Sequence, residues 1–122
     1  MLFMESVLNV ADNSGVRRLK MIKALGYGKS YASAGRLIIA SVADVKSKRK
    51  IKKGDLVRAV VFRVKYEKKR SLGLVFSSSS NSVVLLKKTE NVPYGNRVRT
   101  VGSIQLRKFN LSKILSLSKF VL

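Results

Sequence analysis

The chain has 122 residues, with 26 Lys and Arg against 6 Asp and Glu, so its formal net charge is +20. It contains no Cys and no His, which excludes disulfides and thiolate metal sites and removes the commonest general base and nitrogen ligand. Its length suits one domain over residues 1–122, and its 46% of apolar residues is enough for a core.

The chain begins with a predicted β-hairpin. A short apolar-rich run, Ser6 to Val10, is followed by the turn-forming sequence ADNSG at residues 11–15. Asp and Asn bond their own backbone two residues on, and Gly accepts a positive φ. Val16 to Leu25 then alternates as a strand, which ends at the sequence GYG of residues 26–28.

The turn is predicted to set the register of the second strand of this hairpin. Arg18 and Lys20 fall on one face of the strand, and Leu19 and Met21 fall on the other. A slip of one residue would bury the cations and expose the apolar side chains. We therefore expect ADNSG to form a hairpin corner, and contacts from its Asp and Asn to RNA or a neighbouring protein remain a second role.

Two longer strands, Leu37 to Val45 and Leu56 to Lys65, are predicted on either side of a basic loop. The second of them, LVRAVVFRVK, is dense in Val and Phe, which favour strands. The loop contains KSKRKIKK at residues 46–53, with six cations in eight residues, and Gly54-Asp55 turns the chain.

Two shorter strands follow a charged reversal at residues 67–72. They are predicted at Leu74 to Phe76 and Val83 to Leu86, with SSSSNS at residues 77–82 between them. Short strands at this spacing, joined by glycine-bearing turns, predict a mainly β fold built on a small barrel.

The last part of the chain changes to helical periodicity. Asn110 is a predicted N-cap, and Leu111, Ile114 and Leu115 fall on one helical face. We expect a short helix over residues 111–117 that packs its apolar stripe on the barrel.

The acidic residues do not form an evident active site. None of them pair at close spacing, and those in turns are expected to be turn formers or local charge partners. The six acids are Glu5, Asp12, Asp44, Asp55, Glu67 and Glu90. We therefore predict no catalytic residue, no metal and no cofactor, although an RNA-modifying enzyme remains an alternative if folding brings two acids together.

The charge surplus predicts a polyanionic partner. Nucleic acid is favoured over a membrane, because the cations are spread along the chain and no apolar run reaches about 18 residues. The two sharpest clusters are KSKRKIKK and VKYEKKR at residues 64–70. Each is either a cationic arm against phosphates or a solvated loop.

Three tyrosines accompany these cations. Tyr66 lies in the second cluster, and Tyr27 and Tyr31 flank Lys29. Such rings either stack on unpaired bases or pack in the barrel, and the sequence leaves both roles open. A free nucleoid or single-strand-binding protein is a further alternative at this point.

Several separated motifs resemble one family. They are LNVADNSGVRRLKMIKALG near the start, KKGDLVRAVVFRVK in the middle, NSVVLL from Asn81 and PYGNRV from Pro93. In order and spacing they are similar to the universal L-fourteen family of large-subunit ribosomal proteins, nearly end to end. The resemblance implies a five-stranded, OB-like barrel over about residues 1–102, with a projecting hairpin, and short helices over about residues 103–122.

The resemblance also implies a function and partners. The chain is expected to be a structural ribosomal protein that binds large-subunit rRNA and reaches small-subunit rRNA at an inter-subunit bridge. Neighbouring large-subunit proteins are further partners, and an assembly or silencing factor is an expected partner on the same face. No membrane partner is expected.

Cations are assigned to these roles by position. Those expected at large-subunit rRNA are Arg17, Arg18, Lys20, Lys23, Lys29, Lys46, Lys48, Arg49, Lys50, Lys52, Lys53, Arg63, Lys65, Lys68, Lys69 and Arg70. The family's bridge contacts match residues 43–48 and the region from Arg97 into the C-terminal helix. The cations there are Lys46, Lys48, Arg97, Arg99, Lys108 and Lys113.

The sequence departs from the family at several turns. Leu72 stands before Gly73 where an acid is usual, Ser78 and Ser80 replace an aromatic residue and a glycine, and Gln105 replaces Glu. Thr100 and Val101 replace Gly-Pro. Together with the bias toward Ser, Lys and Phe, this drift predicts a mitochondrial ribosome rather than a bacterial or plastid one, and the absence of an evident presequence predicts organelle encoding.

Overall fold

A computed structural model describes residues 2–26, 30–46, 50–66 and 68–122. Strands in chain order are β1 (Leu2–Phe3), β2 (Val7–Val10), β3 (Val16–Ala24), β4 (Tyr31–Ala32), β5 (Leu37–Val45), β6 (Leu56–Arg63), β7 (Lys68–Lys69), β8 (Val75–Phe76) and β9 (Ser82–Leu86). The helical elements are 3-10 helices at Ser71–Gly73 and Ile104–Phe109 and one α-helix, α1 (Ser112–Ser116). The five longer predicted strands are confirmed to within two residues at each end, whereas β1 and β4 are too short to show a periodicity.

Five strands close a barrel in the order β2-β3-β5-β6-β9, which confirms the predicted mainly β barrel. Four neighbouring pairs are antiparallel, and the barrel closes where β2 runs parallel to β9. At this seam Asn9 lies opposite Ser82 and Val10 lies opposite Val83. The Ala11 N–H donates to the Val83 carbonyl at 2.9 Å, so the seam continues past the end of β2.

The predicted faces of β3 are confirmed. Leu19 and Met21 are buried in the barrel interior, while Arg18 and Lys20 are exposed. Register irregularities at the start of the β3–β5 ladder coincide with an additional exposed cation, Arg17. A bulge re-aims side chains in this way, so the strand presents more positive charge outside than strict alternation allows.

Strands β6 and β9 are buried on both faces, which explains why their sequences lack alternation. In β6, Ala59 and Val61 belong to the barrel interior, while Val60 and Phe62 belong to a second apolar cluster outside it. The C-terminal segment covers this outer cluster. Burial of each such side chain stabilises the fold by roughly 1.5–3 kcal/mol.

The predicted C-terminal apolar face is confirmed, but the predicted cap is wrong. Leu111, Ile114 and Leu115 are all buried in the second cluster. Asn110 does not begin a helix, since it has φ 57° and ends the 3-10 helix Ile104–Phe109. Asn adopts this left-handed conformation more readily than most residues, and helical turns had already begun six residues earlier.

The projecting hairpin that the resemblance implies is present as β7 and β8. Its tip carries Leu72, which has φ 63° and is 96% exposed. Arg70 holds the base of the hairpin, because its guanidinium donates to the Leu122 carbonyl at 2.8 Å and lies 4.8 Å from the centre of the Phe76 ring. In the following serine run, the Ser78 hydroxyl donates to the carbonyl of Val64.

Candidate nucleic-acid interface

Asp12 organises the hairpin corner that joins β2 to β3. Its Oδ1 accepts the Ser14 N–H at 3.1 Å and the Ser14 hydroxyl at 2.6 Å, as expected of an Asp in a turn. Its Oδ2 accepts the Leu85 N–H of β9 at 3.0 Å. The turn role predicted from ADNSG is therefore confirmed, and the same carboxylate also ties the corner to the closing strand of the barrel.

Burial raises the pKa of Asp12 above its ordinary value of 3.8. The hydrogen bonds from Ser14 and Leu85 and the charge of Arg99 lower it in part. A carboxylate loses hydration when it is buried, so the bonds it accepts must offset that cost.

Asn13 fastens a second segment over the corner. Its Oδ1 accepts the Asn96 N–H at 3.0 Å and the Arg97 N–H at 3.3 Å. A Cβ on Gly95 would lie 2.6 Å from the same Oδ1, so this close approach requires glycine. The Arg99 N–H donates to the Ala11 carbonyl at 2.8 Å, which continues the attachment.

A groove of about 660 Å³ runs along this corner, and we name it the corner groove. Its cationic side chains come from three separate parts of the chain: Arg17, Arg18, Lys46 and Arg99. The Lys46 N–H donates to the Gly15 carbonyl at 2.8 Å, so the end of β5 is joined to the turn. The fold thus converts residues that are distant in sequence into one positive surface.

Few acids offset this charge. Within the described ranges the structure has two ion pairs, Arg18 with Asp44 at 3.6 Å and Lys20 with Glu5 at 4.0 Å. Both pairs are exposed, and such pairs are typically worth between 0 and about 1 kcal/mol. These contacts, like the acceptance of the Lys52 N–H by Asp55 at 2.9 Å, agree with the expectation that the acids serve turns and local pairs.

Most cations predicted at large-subunit rRNA lie on the surface. The exposed ones are Arg17, Arg18, Lys20, Lys23, Lys46, Lys50, Lys52, Lys53, Lys65 and Lys69. Arg63 and Arg70 are half-buried and use their guanidinium groups internally, Arg63 donating to Ser82 and Ser80 at 3.2 and 3.1 Å. Lys68 forms part of β7, while Lys29, Lys48 and Arg49 lie outside the described residues.

The cations predicted at the bridge are divided between two regions. Lys46 and Arg99 meet in the corner groove, and Arg97 lies beside it on the segment held by Asn13. Lys108 lines a different groove, of about 730 Å³, between the hairpin base and the helix Ile104–Phe109. Lys113 is exposed on α1. The two regions are connected through Val98, which forms isolated β-bridges, that is, single backbone pairings, with both Asp12 and Ser118.

The tyrosine alternatives are resolved in part. Tyr66 is half-buried and packs against the barrel interior, which agrees with the packing role. Tyr31 is exposed and lies opposite the exposed Phe3 across the β1–β4 pair. Tyr27 lies outside the described residues.

A further groove, which the sequence reasoning missed, lies where β6 and β9 meet. We name it the strand-end groove; its volume is about 750 Å³, and Lys50, Arg58, Lys87, Lys88 and Tyr94 line it together with apolar side chains. The sequence signal was LLKKTENVPY, in which two lysines follow a strand and an aromatic follows Pro93. Only the turn between them brings these groups together.

No other chemical site emerges from the described part of the chain. No group of three or more acidic side chains there is arranged to hold a metal ion. No helix in the same ranges has the length and apolar character needed to cross a membrane.

Comparison with known protein families gives a match over the entire chain. Residues 1–122 match the family model described as Ribosomal protein L14p/L23e. The match includes all the segments whose motifs carried the resemblance, so that expectation is confirmed.

We predict that Asp12→Ala lowers the free energy of unfolding by about 1–3 kcal/mol, because the buried Leu85 N–H loses its acceptor. Urea denaturation of the purified chain measures this. The matched control, Asp44→Ala, removes an exposed carboxylate and should change the value by less than about 0.5 kcal/mol. Equal losses in the two variants would contradict the role of Asp12.

The raised pKa also sets the sign of a pH dependence in the same experiment. The folded chain binds a proton at Asp12 more tightly than the unfolded chain. The stability linked to this proton is therefore present below the ordinary pKa of about 3.8 and is lost as the pH rises through the raised pKa of the folded chain. The difference between the wild type and Asp12→Ala should therefore be larger at acid pH than at pH 7. A difference that does not vary with pH would contradict this.

Proposed function

Since the chain belongs to the Ribosomal protein L14p/L23e family of structural proteins of the large ribosomal subunit, we propose that it binds large-subunit rRNA and contributes to a bridge with small-subunit rRNA. The family is not an enzyme family, and the mechanism that we propose is binding without turnover. Neighbouring large-subunit proteins, and an assembly or silencing factor on the same face, are its proposed protein partners.

The corner groove is the observation that carries the proposal. Among the residues that the structure describes, four cations line it, Arg17, Arg18, Lys46 and Arg99, against two carboxylates. Of these carboxylates, Asp44 pairs with Arg18, and the buried Asp12 is occupied by backbone and hydroxyl donors. A surface with so little internal compensation favours an anionic ligand. When phosphates neutralise such cations, condensed counterions are released, and this release drives binding.

The barrel contributes rigidity to this mechanism. The corner is attached to β9 through Asp12 and to the segment carrying Arg97 and Arg99 through Asn13. Cations held on a fixed frame position a polyanion without reading its sequence. We therefore propose that the chain fixes the local path of the rRNA backbone.

The bridge proposal rests on the region around Val98. This residue pairs with the corner at Asp12 and with the C-terminal segment at Ser118, and it lies between the exposed Arg97 and Arg99. The exposed Arg97 and Arg99 thus stand on a segment that is attached both to the corner and to the C-terminal segment, and such an arrangement suits a second RNA.

The compartment that we propose is the mitochondrial ribosome. The support is the set of departures from the family at its turns, including the exposed Leu72 at the hairpin tip in place of an acid. The membership itself places the chain in a ribosome.

For rRNA binding we predict a change in salt dependence. Lys46→Ala/Arg99→Ala should flatten the slope of log affinity against log salt by roughly 0.7–0.9 for each phosphate that the variant no longer neutralises. Filter binding of purified large-subunit rRNA between 50 and 200 mM salt, roughly the range over which such slopes are resolved, measures this. Arg107→Ala/Lys119→Ala removes equal charge from the C-terminal segment. If this control flattens the slope equally, net charge rather than the corner groove determines affinity.

For the bridge we predict that Arg97→Ala/Lys113→Ala weakens subunit joining more than incorporation into the large subunit. Sucrose gradients at reduced magnesium compare joined ribosomes with free subunits, and immunoblotting of the large-subunit fraction measures incorporation. Lys119→Ala, which changes an exposed cation that belongs to neither predicted set, is the control. Normal joining, or parallel loss of incorporation, would contradict the bridge role.

For the assembly and compartment we predict that the native protein travels with the large subunit of mitochondrial ribosomes after a high-salt wash. Gradient fractionation of purified organelles and of the remaining cell extract measures both. A protein that coats nucleic acid without sedimenting with ribosomes would support the free nucleic-acid-binding alternative instead. Sedimentation with a cytoplasmic or plastid ribosome would contradict the mitochondrial assignment alone.

A further inference from the structure

Tyr94 lies between two cationic grooves that are distinct from the corner groove. It lines the strand-end groove and also an adjoining groove of about 600 Å³ beside Asn13 and Asn96. Lys50 and Lys87 line both grooves as well. The tyrosine is 39% exposed, so part of its surface is accessible from these grooves.

The backbone holds Tyr94 firmly in this position. Its N–H donates to the Leu85 carbonyl at 2.9 Å, and the preceding Pro93 pairs with Leu86 in an antiparallel bridge. On its other side, Gly95 lies against Asn13 with no room for a Cβ. A backbone held in this way needs little ordering when a ligand arrives.

The loop between β9 and Tyr94 is also held in place. The Arg58 guanidinium donates to the Lys88 carbonyl and to the Asn91 side-chain oxygen, both at 3.1 Å. The Lys87 N–H donates to the Val92 carbonyl at 3.0 Å. The lysines of this loop therefore stand on a defined frame beside the ring.

The combination of a presented aromatic ring and lysines is the chemistry that binds single-stranded nucleic acid. Unpaired bases stack on aromatic faces while nearby cations contact the flanking phosphates. Leu56, which is 63% exposed, adds an apolar wall to the strand-end groove. Of the described residues, Asp55 is the one acid that lines this groove, and its carboxylate accepts the Lys52 N–H.

We propose that Tyr94 is a stacking platform for one unpaired RNA base, with the phosphates on either side lying against Lys50 and Lys87. This rests on the proposed RNA binding and goes beyond it, because it adds a base contact to contacts with phosphates. The site selects single-stranded RNA, since a paired and stacked base presents no free face to the ring. The charge of the two grooves favours RNA over an apolar ligand.

Binding of two fluorescein-labelled probes to the purified full chain tests this site. The probes are a single-stranded oligoadenylate of about 12 nucleotides and a fully paired RNA duplex of equal length. This length falls within the usual range of single-strand site sizes. Tyr94→Leu should weaken single-strand binding by roughly 5- to 100-fold, since it removes the stacking face. Tyr94→Phe keeps the ring and should stay within about twofold of the wild type.

Two features separate stacking from a general effect. The salt slope of Tyr94→Leu should equal that of the wild type, because the variant keeps every cation that neutralises phosphate, and its duplex affinity should not change. Phe3→Leu is the matched control, because Phe3 is an exposed ring, 54% exposed, that lines neither groove. Its affinity for both probes should equal that of the wild type.

The outcomes distinguish this site from the proposed function. Unchanged single-strand binding by Tyr94→Leu, with a steep salt slope in the wild type, overturns the stacking site and leaves RNA binding intact. If Tyr94→Leu weakens binding of the duplex and of the single strand equally, the tyrosine has a structural role, and the stacking site is overturned. The same conclusion follows if Tyr94→Leu lowers the melting temperature and Tyr94→Phe weakens binding as much as Tyr94→Leu does. If polyglutamate competes with the single-stranded probe for the wild type but not for Tyr94→Leu, the site binds an acidic peptide, and the base contact is overturned. A wild type that binds neither probe contradicts the proposed function itself.

Discussion

The barrel depends on a buried carboxylate at the seam where β2 and β9 run parallel. The ladder between these strands is short, and Asp12 extends it by accepting the Leu85 N–H where β2 has already turned away. An N–H left unpaired at this buried position would cost about 1–3 kcal/mol. The same side chain shapes the turn through Ser14, so barrel closure and hairpin geometry share one group. Any shift of the corner therefore disturbs the seam.

From this seam follows the division of the surface. The seam strand β9 and its neighbour β6 carry apolar side chains on both faces, so one face fills the barrel and the other requires a cover. The C-terminal segment provides the cover through Leu106, Ile114 and Leu115. Apolar burial thus occupies both sides of two strands, and the cations are displaced to the turns, the strand ends and the outer face of β3.

Charge accumulates at these places because the cations have few acids to pair with. The described ion pairs are exposed and weak, and at a net charge of +20 the cationic side chains repel one another in the free chain. In the proposed setting, phosphate takes the place of the missing acids. The corner groove and the smaller of the two grooves beside Tyr94 adjoin the same turn at Asn13, so proposed backbone contacts and a proposed base contact lie on one frame.

Local pattern in the sequence determined the barrel strands, the corner at ADNSG and the apolar face over Leu111 to Leu115, because alternation and turn chemistry act over a few residues. It also predicted a polyanionic partner, since net charge is a sum that does not depend on the fold. The prediction that Asn110 begins a helix was wrong, because a 3-10 helix already begins at Ile104 and Asn110 ends it. Only the tertiary structure decided that Asp12 accepts a hydrogen bond from Leu85, that Lys46 and Arg99 line one groove and that Lys50 and Tyr94 line another. Each arrangement joins residues far apart in the chain, and the distance between them is set by strand register and barrel closure rather than by any local preference.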